Sequence, residues 1–159
     1  MLPAIADNNF SAYTTVMENI HQPLIDFIES GSPFHRFLNI QVIDAKPGFI
    51  KLLLPYKEEF GGNMERGILH GGISAMFVDI VAASALWTHL KPEDKSATID
   101  LRVDYQRPAM LENLIGEGEV RMLANSVANV HVRLYNASTP DTLQAEGRAV
   151  FHIKRKSNT

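Results

Sequence analysis

The sequence predicts an α+β fold in which one antiparallel sheet curls around a single buried helix. Three observations lead there. Residues 71–89 are apolar on nearly every side, and a helix without a polar face is buried all round. Residues 97–107 and 127–153 largely alternate apolar and polar side chains, the period of strands with one dry face. The helical pattern is kept apart from the strands in sequence, which places helix on one face of the sheet.

The elements follow in order. Val16, Ile20, Leu24, Phe27 and Ile28 fall near helical spacing within residues 11–30. They predict an N-terminal helix that Pro23 bends or restarts and that Gly31-Ser32-Pro33 ends. Strands are expected at 37–45 and 49–55, with Pro47-Gly48 as the turn of a hairpin. Residues 56–69 carry Gly61-Gly62-Asn63 and Gly67 and read as a loop with tight backbone positions. The buried helix is closed by residues 91–94. Strands follow at 97–107, 114–123, 127–137 and 143–153, with a turn near Ala124-Asn125-Ser126. The chain therefore reads as a β-hairpin, a buried helix and further strands that include a three-stranded meander. A length of 159 residues suits one domain. Residues 1–32 are expected to be a helical extension, 33–155 the sheet-and-helix domain and 156–159 a short tail.

Composition removes several function classes. Hydrophobic residues make up 45% of the chain, enough for a core, and the formal net charge is −3. The one basic run, Lys154-Arg155-Lys156, does not argue for nucleic acid. There is no cysteine, which excludes disulfides, thiolate metal sites and a cysteine nucleophile. The absence of cysteine fits a reducing compartment. The first ten residues show no secretory signal, so a cytoplasmic location is expected. The apolar run 73–87 is interrupted by Ser74, Asp79 and Ser84 and falls short of the ~18 apolar residues of a membrane span. His21, His35, His89, His131 and His152 have no metal-ligand spacing, and neither HExxH nor GxSxG occurs. Metal centres and serine-hydrolase chemistry are therefore not expected.

The chemistry centres on "GILHGGISAMFVD", Gly67 to Asp79. The first amides of a helix lack intrahelical acceptors and carry partial positive charge. Gly71 and Gly72 have no side chains, so a ligand can come close to that backbone. Such a site can hold a carbonyl oxygen that becomes negative during acyl transfer; a plain tight turn is the alternative. Asp79 sits in an apolar setting, so its carboxylate must be paired, protonated or facing a cavity. Thr98 or Arg102 from a neighbouring strand could pair with it. Gly71 and Asp79 are eight residues apart, or about 12 Å along a helix. That is too far for both to act on one carbonyl from the same chain. If they cooperate, a second subunit supplies Asp79, and a two-fold axis would create two sites across a dimer.

The order Asn63, Gly67, His70-Gly71-Gly72, Asp79, followed by "TIDLRVDYQRPA" from Thr98 to Ala109, resembles the PaaI-like acyl-CoA thioesterases of the hotdog fold. The likeness covers about residues 33–153. It implies a sheet wrapped around a central helix and thioester hydrolysis without a cofactor. It implies that Asp79 is the catalytic carboxylate, as nucleophile or as general base. Gly71 becomes the N–H that polarises the thioester carbonyl, with Gly72 beside it. Asn63 becomes a residue that orients substrate or water. His70 belongs to the same motif, and Thr98 falls where a hydroxyl positions the carboxylate or water; at the start of a strand, β-propensity accounts for it equally well. Relatives often carry glycine and a basic residue at the turn matching Ala124-Asn125-Ser126, where they can help hold the CoA phosphates. Both are missing here, which leaves Asn125, Ser126, Arg107 and the C-terminal basic residues as candidates for that end of the substrate.

The leading expectation is hydrolysis of acyl-CoA or aryl-acyl-CoA by a homodimer or a dimer of dimers, with no nucleic-acid or membrane partner. A non-catalytic acyl-CoA or lipid-binding protein of the same fold is the alternative. A hydratase or dehydratase is disfavoured because its histidine–carboxylate arrangement is not found. Met64, Met76, Phe77 and Trp87 could line an acyl pocket or belong to the core.

Overall fold

The computed structural model describes residues 22–156. Helix α1 runs Gln22–Ser30 and buries Ile25 and Ile28. The rest of the expected N-terminal helix, with Val16 and Ile20, lies outside the described residues. Residues 33–38 depart from expectation. Phe37 and Leu38 do not begin a strand but end a short helix, α2, Pro33–Leu38. Ser32 caps it by accepting the His35 N–H at 3.0 Å, Pro33 occupies the first turn, and Asn39 ends it at φ 56°. Ser32-Pro33 thus stops one helix and starts the next.

Strands β1 (Gln41–Lys46) and β2 (Phe49–Leu54) form the expected hairpin, with Gly48 at φ 80° in its turn. The segment read as a loop contains a 3-10 turn, Glu58–Phe60, and two short paired strands, β3 (Gly61–Asn63) and β4 (Ile68–Leu69). Helix α3 spans Gly71–Trp87. Four strands follow: β5 (Lys95–Tyr105), β6 (Leu114–Leu123), β7 (Val127–Asn136) and β8 (Leu143–Lys154). The main sheet has six antiparallel strands in the order β1-β2-β6-β7-β8-β5. Strands β6 to β8 are the meander. β5 extends it by pairing with β8, so β5 and β1 are the sheet's two edges.

The sheet curls around α3 as hotdog folds do. Phe77, Val78, Val81, Ala82, Ala85 and Leu86 are completely buried against Val132, Leu134, Ala149, Phe151 and their neighbours. Two glycines let the helix come this close. A Cβ on Gly147 would lie 2.2 Å from Val78, and one on Gly118 would lie 2.9 Å from the Val81 carbonyl oxygen. The convex face is wet. Register sets Asp44, Lys51, Glu117, Arg133, Glu146 and Asp104 in one row across all six strands. Strand β5 breaks the pattern of dry inner residues. Ile99, Leu101 and Tyr105 are 62%, 36% and 56% exposed, on an edge with no further strand among the described residues. No helix among the described residues is long and apolar enough to cross a membrane.

Candidate active site

The site is assembled at the start of α3. His70 takes extended backbone angles and caps the helix, its ring Nδ1 accepting the Gly72 N–H at 3.0 Å. The Ile73 N–H goes to the His70 carbonyl at 2.9 Å. Gly71 N–H meets no acceptor among the described residues. Of the first three amides, one is therefore left without an acceptor among the described residues, at the positive end of the helix.

The β3–β4 pair supports this end. His70 N–H donates to the Phe60 carbonyl at 2.8 Å, and a Cβ on Gly62 would lie 2.6 Å from the His70 Cα. Asn63 follows Gly62. Its side-chain oxygen accepts the Arg66 N–H at 3.0 Å, which leaves its NH2 group without a partner among the described residues. Gly67 takes φ 66° in the same connection.

Asp79 lies on α3 toward β5, between the buried Val78 and Ile80. Thr98 Oγ1 donates to Asp79 Oδ1 at 2.9 Å. Arg102, the other partner considered, bonds Asp104 on the opposite face of the sheet. Asp79 itself is part-exposed in the single chain rather than buried, beside an edge strand that no other described strand covers. Tyr105, at the far end of the same strand, donates to the Gly71 carbonyl at 2.8 Å. Sequence reasoning gave Tyr105 no role. The pairing joins residues 34 apart, so the strand's register against the helix had to be known first.

The remaining candidates divide between the two ends of β5. Arg107 lies just past Tyr105, with its Nη1 donating to the Leu143 carbonyl at 3.2 Å. Asn125 and Ser126 lie at the other end. The Ser126 carbonyl accepts the Ile153 N–H at 2.8 Å, and Ile153 is opposite Ser96. One chain therefore does not bring Arg107 and Asn125 together. Arg155, in the basic run, is held by Asp94 at 2.8 Å. Phe77 belongs to the core, Met76 and Trp87 pack at its margin, and Met64 is exposed. Among the described residues no three histidine, aspartate or glutamate side chains gather as metal ligands.

Known proteins share this architecture. The family model of the thioesterase superfamily matches residues 66–143. A medium/long-chain acyl-CoA thioesterase of Escherichia coli, YigI, is 32% identical over 117 residues, covering 65% of this chain and 76% of its own. Human acyl-coenzyme A thioesterase 13 is 28% identical over 141 residues, 87% of this chain and 98% of its own. A crystal structure of a thioesterase-superfamily protein superposes with a TM-score of 0.76 at 31% identity, covering 88% and 99% of the two chains. The chain belongs to the thioesterase superfamily, and its fold is the hotdog fold.

Proposed function

We propose that this protein hydrolyses acyl-CoA thioesters to the free acid and CoA, at two sites formed across a homodimer. One observation carries the reading: α3 bears both a Gly71 amide with no acceptor among the described residues and a carboxylate at Asp79 held by Thr98. They are about 12 Å apart, and both are flanked by the uncovered strand β5. The names of the E. coli and human relatives support the acyl-CoA substrate. An antiparallel partner strand on β5 would cover Ile99 and Leu101 and bring Asp79 of one subunit toward Gly71 of the other. It would also carry the β6–β7 turn, with Asn125 and Ser126, toward Arg107, where the CoA end of the substrate would rest.

In this reading the thioester oxygen accepts the Gly71 N–H, and the Gly72 backbone borders the same site. Asp79, one oxygen fixed by Thr98, acts through the other as general base or as nucleophile. As base it takes a proton from water, whose oxygen attacks the carbonyl carbon. The C–O bond forms, and negative charge on the carbonyl oxygen is stabilised at the helix end. The intermediate collapses with cleavage of C–S, and the thiolate leaves and is protonated. Asn63, whose NH2 group has no partner among the described residues, orients water or substrate.

The test is thiol release from acetyl-, hexanoyl-, dodecanoyl- and phenylacetyl-CoA. Asp79→Asn should lower kcat by about 10²- to 10⁴-fold without loss of assembly. Undiminished turnover by Asp79→Asn would overturn the mechanism. Tight acyl-CoA binding by the native protein without thiol release would make it a binding module instead.

A further inference from the structure

We infer that Tyr105 is a positioning residue for the Gly71 amide, acting with His70 through the peptide unit between Gly71 and Gly72. The inference rests on the hydrolytic reading above. That peptide unit has one C=O, belonging to Gly71, and one N–H, belonging to Gly72. Tyr105 Oη donates to the C=O at 2.8 Å, and His70 Nδ1 accepts the N–H at 3.0 Å. In a trans peptide these groups point in opposite directions, so the unit is gripped at both ends by side chains from different elements.

Two consequences follow for Gly71 N–H, which lies on the preceding peptide unit. The fixed plane on its C-terminal side restrains the Gly71 dihedrals, which matters because glycine is otherwise free to rotate. The His70 ring also occupies Gly72 N–H, so the helix presents a single aimed donor rather than two loose ones. Catalysis by oriented donors depends on such prior fixing, and a displacement of about 1 Å can cost on the order of a hundredfold in rate. The Tyr105 ring also lies against Gly71, where a Cβ would be 3.7 Å away. Strand β5 therefore fixes both halves of the chemistry, Asp79 through Thr98 and Gly71 through Tyr105. A partner docking on β5 would bear on both contacts at once.

The experiment compares Tyr105→Phe with His70→Ala and His70→Asn in steady-state thiol release, alongside Asp79→Asn. Phenylalanine keeps the ring against Gly71 and removes the hydroxyl. Tyr105→Phe should lower kcat about tenfold with KM within twofold, as expected for a donor loosened but not removed. His70→Ala should fall similarly. His70→Asn, whose side-chain oxygen can accept the Gly72 N–H, should recover most of that loss. Full kcat in Tyr105→Phe, with Asp79→Asn inactive, overturns the inference and leaves the hydrolytic reading intact. So does a raised KM at full kcat, which would mean that Tyr105 touches substrate. Undiminished turnover by Asp79→Asn overturns the hydrolytic reading itself. Circular dichroism and thermal midpoints of each variant show whether the fold is retained.

Discussion

Single side chains differed in how plainly the sequence showed them. Asp79 stood out because a carboxylate inside an apolar run needs a physical reason, and its bond to Thr98 was one of two considered. Its partial exposure was not visible, since that depends on which sheet edge lies beside it. The Tyr105 bond was hidden for the same reason. Glu117 was hidden too, and it supports a prediction of its own. Burial pushes its carboxyl up. The 2.7 Å hydrogen bond donated by Tyr135 and the Lys51 ammonium at 3.2 Å outweigh this and hold it below the usual glutamate value of 4.5. A carboxyl lowered on folding stabilises the folded state above its unfolded value, and that stabilisation is lost as pH falls through the folded value. Glu117→Gln should therefore lower the thermal midpoint at pH 7, and the gap from the native protein should close toward pH 3. An equal gap at both pH values would mean that shape, not charge, gives Glu117 its effect.

At the level of elements, α3 was legible almost residue by residue, because all-round apolarity has one explanation in a small domain. Strand β5 was legible as alternation, but its place at an edge was not, because pairing is a property of the whole sheet. Helix α2 was misread because Ser-Pro both ends and begins helices, and because six residues carry little periodicity. The closeness of α3 to the sheet depends on Gly147, whose neighbours include Val78, the residue before Asp79. Gly147→Val should cost about 1–3 kcal/mol, the usual penalty for inserting bulk into a packed core, read as a lowered urea midpoint with unchanged slope. It should also lower kcat more than KM at temperatures where the variant is folded, because α3 must shift at Val78 and Asp79 shifts with it. A destabilised variant with native kcat would show that the helix yields elsewhere.

For the whole molecule, the spacing along α3 bears on how many chains the proposed reaction needs. Gly71 and Asp79 on one helix are about 12 Å apart, so a shared reaction requires two chains. The structure adds a β5 edge that no described strand covers, with Ile99 and Leu101 exposed, where the proposed second chain would dock. What the sequence lacked was the position of that edge, which depends on the pairing of β5 with β8. Mixed dimers test the arrangement directly. Gly71→Pro deletes the N–H, and the first helical position tolerates proline. His70 already has the extended backbone, φ −65° and ψ 131°, that a residue before proline adopts. A Cβ at Gly71 meets the Tyr105 ring at an ordinary 3.7 Å. The Gly71→Pro and Asp79→Asn homodimers should both be nearly inactive. A heterodimer of the two, co-expressed with different tags and purified through both, would have one site with a native Gly71 and a native Asp79. Its second site would carry both lesions. It should recover about half the native kcat per dimer, since the two sites of a two-fold dimer are equivalent. If each chain instead used its own Gly71 and Asp79, every site in the heterodimer would carry one lesion and activity would stay at the level of the homodimers.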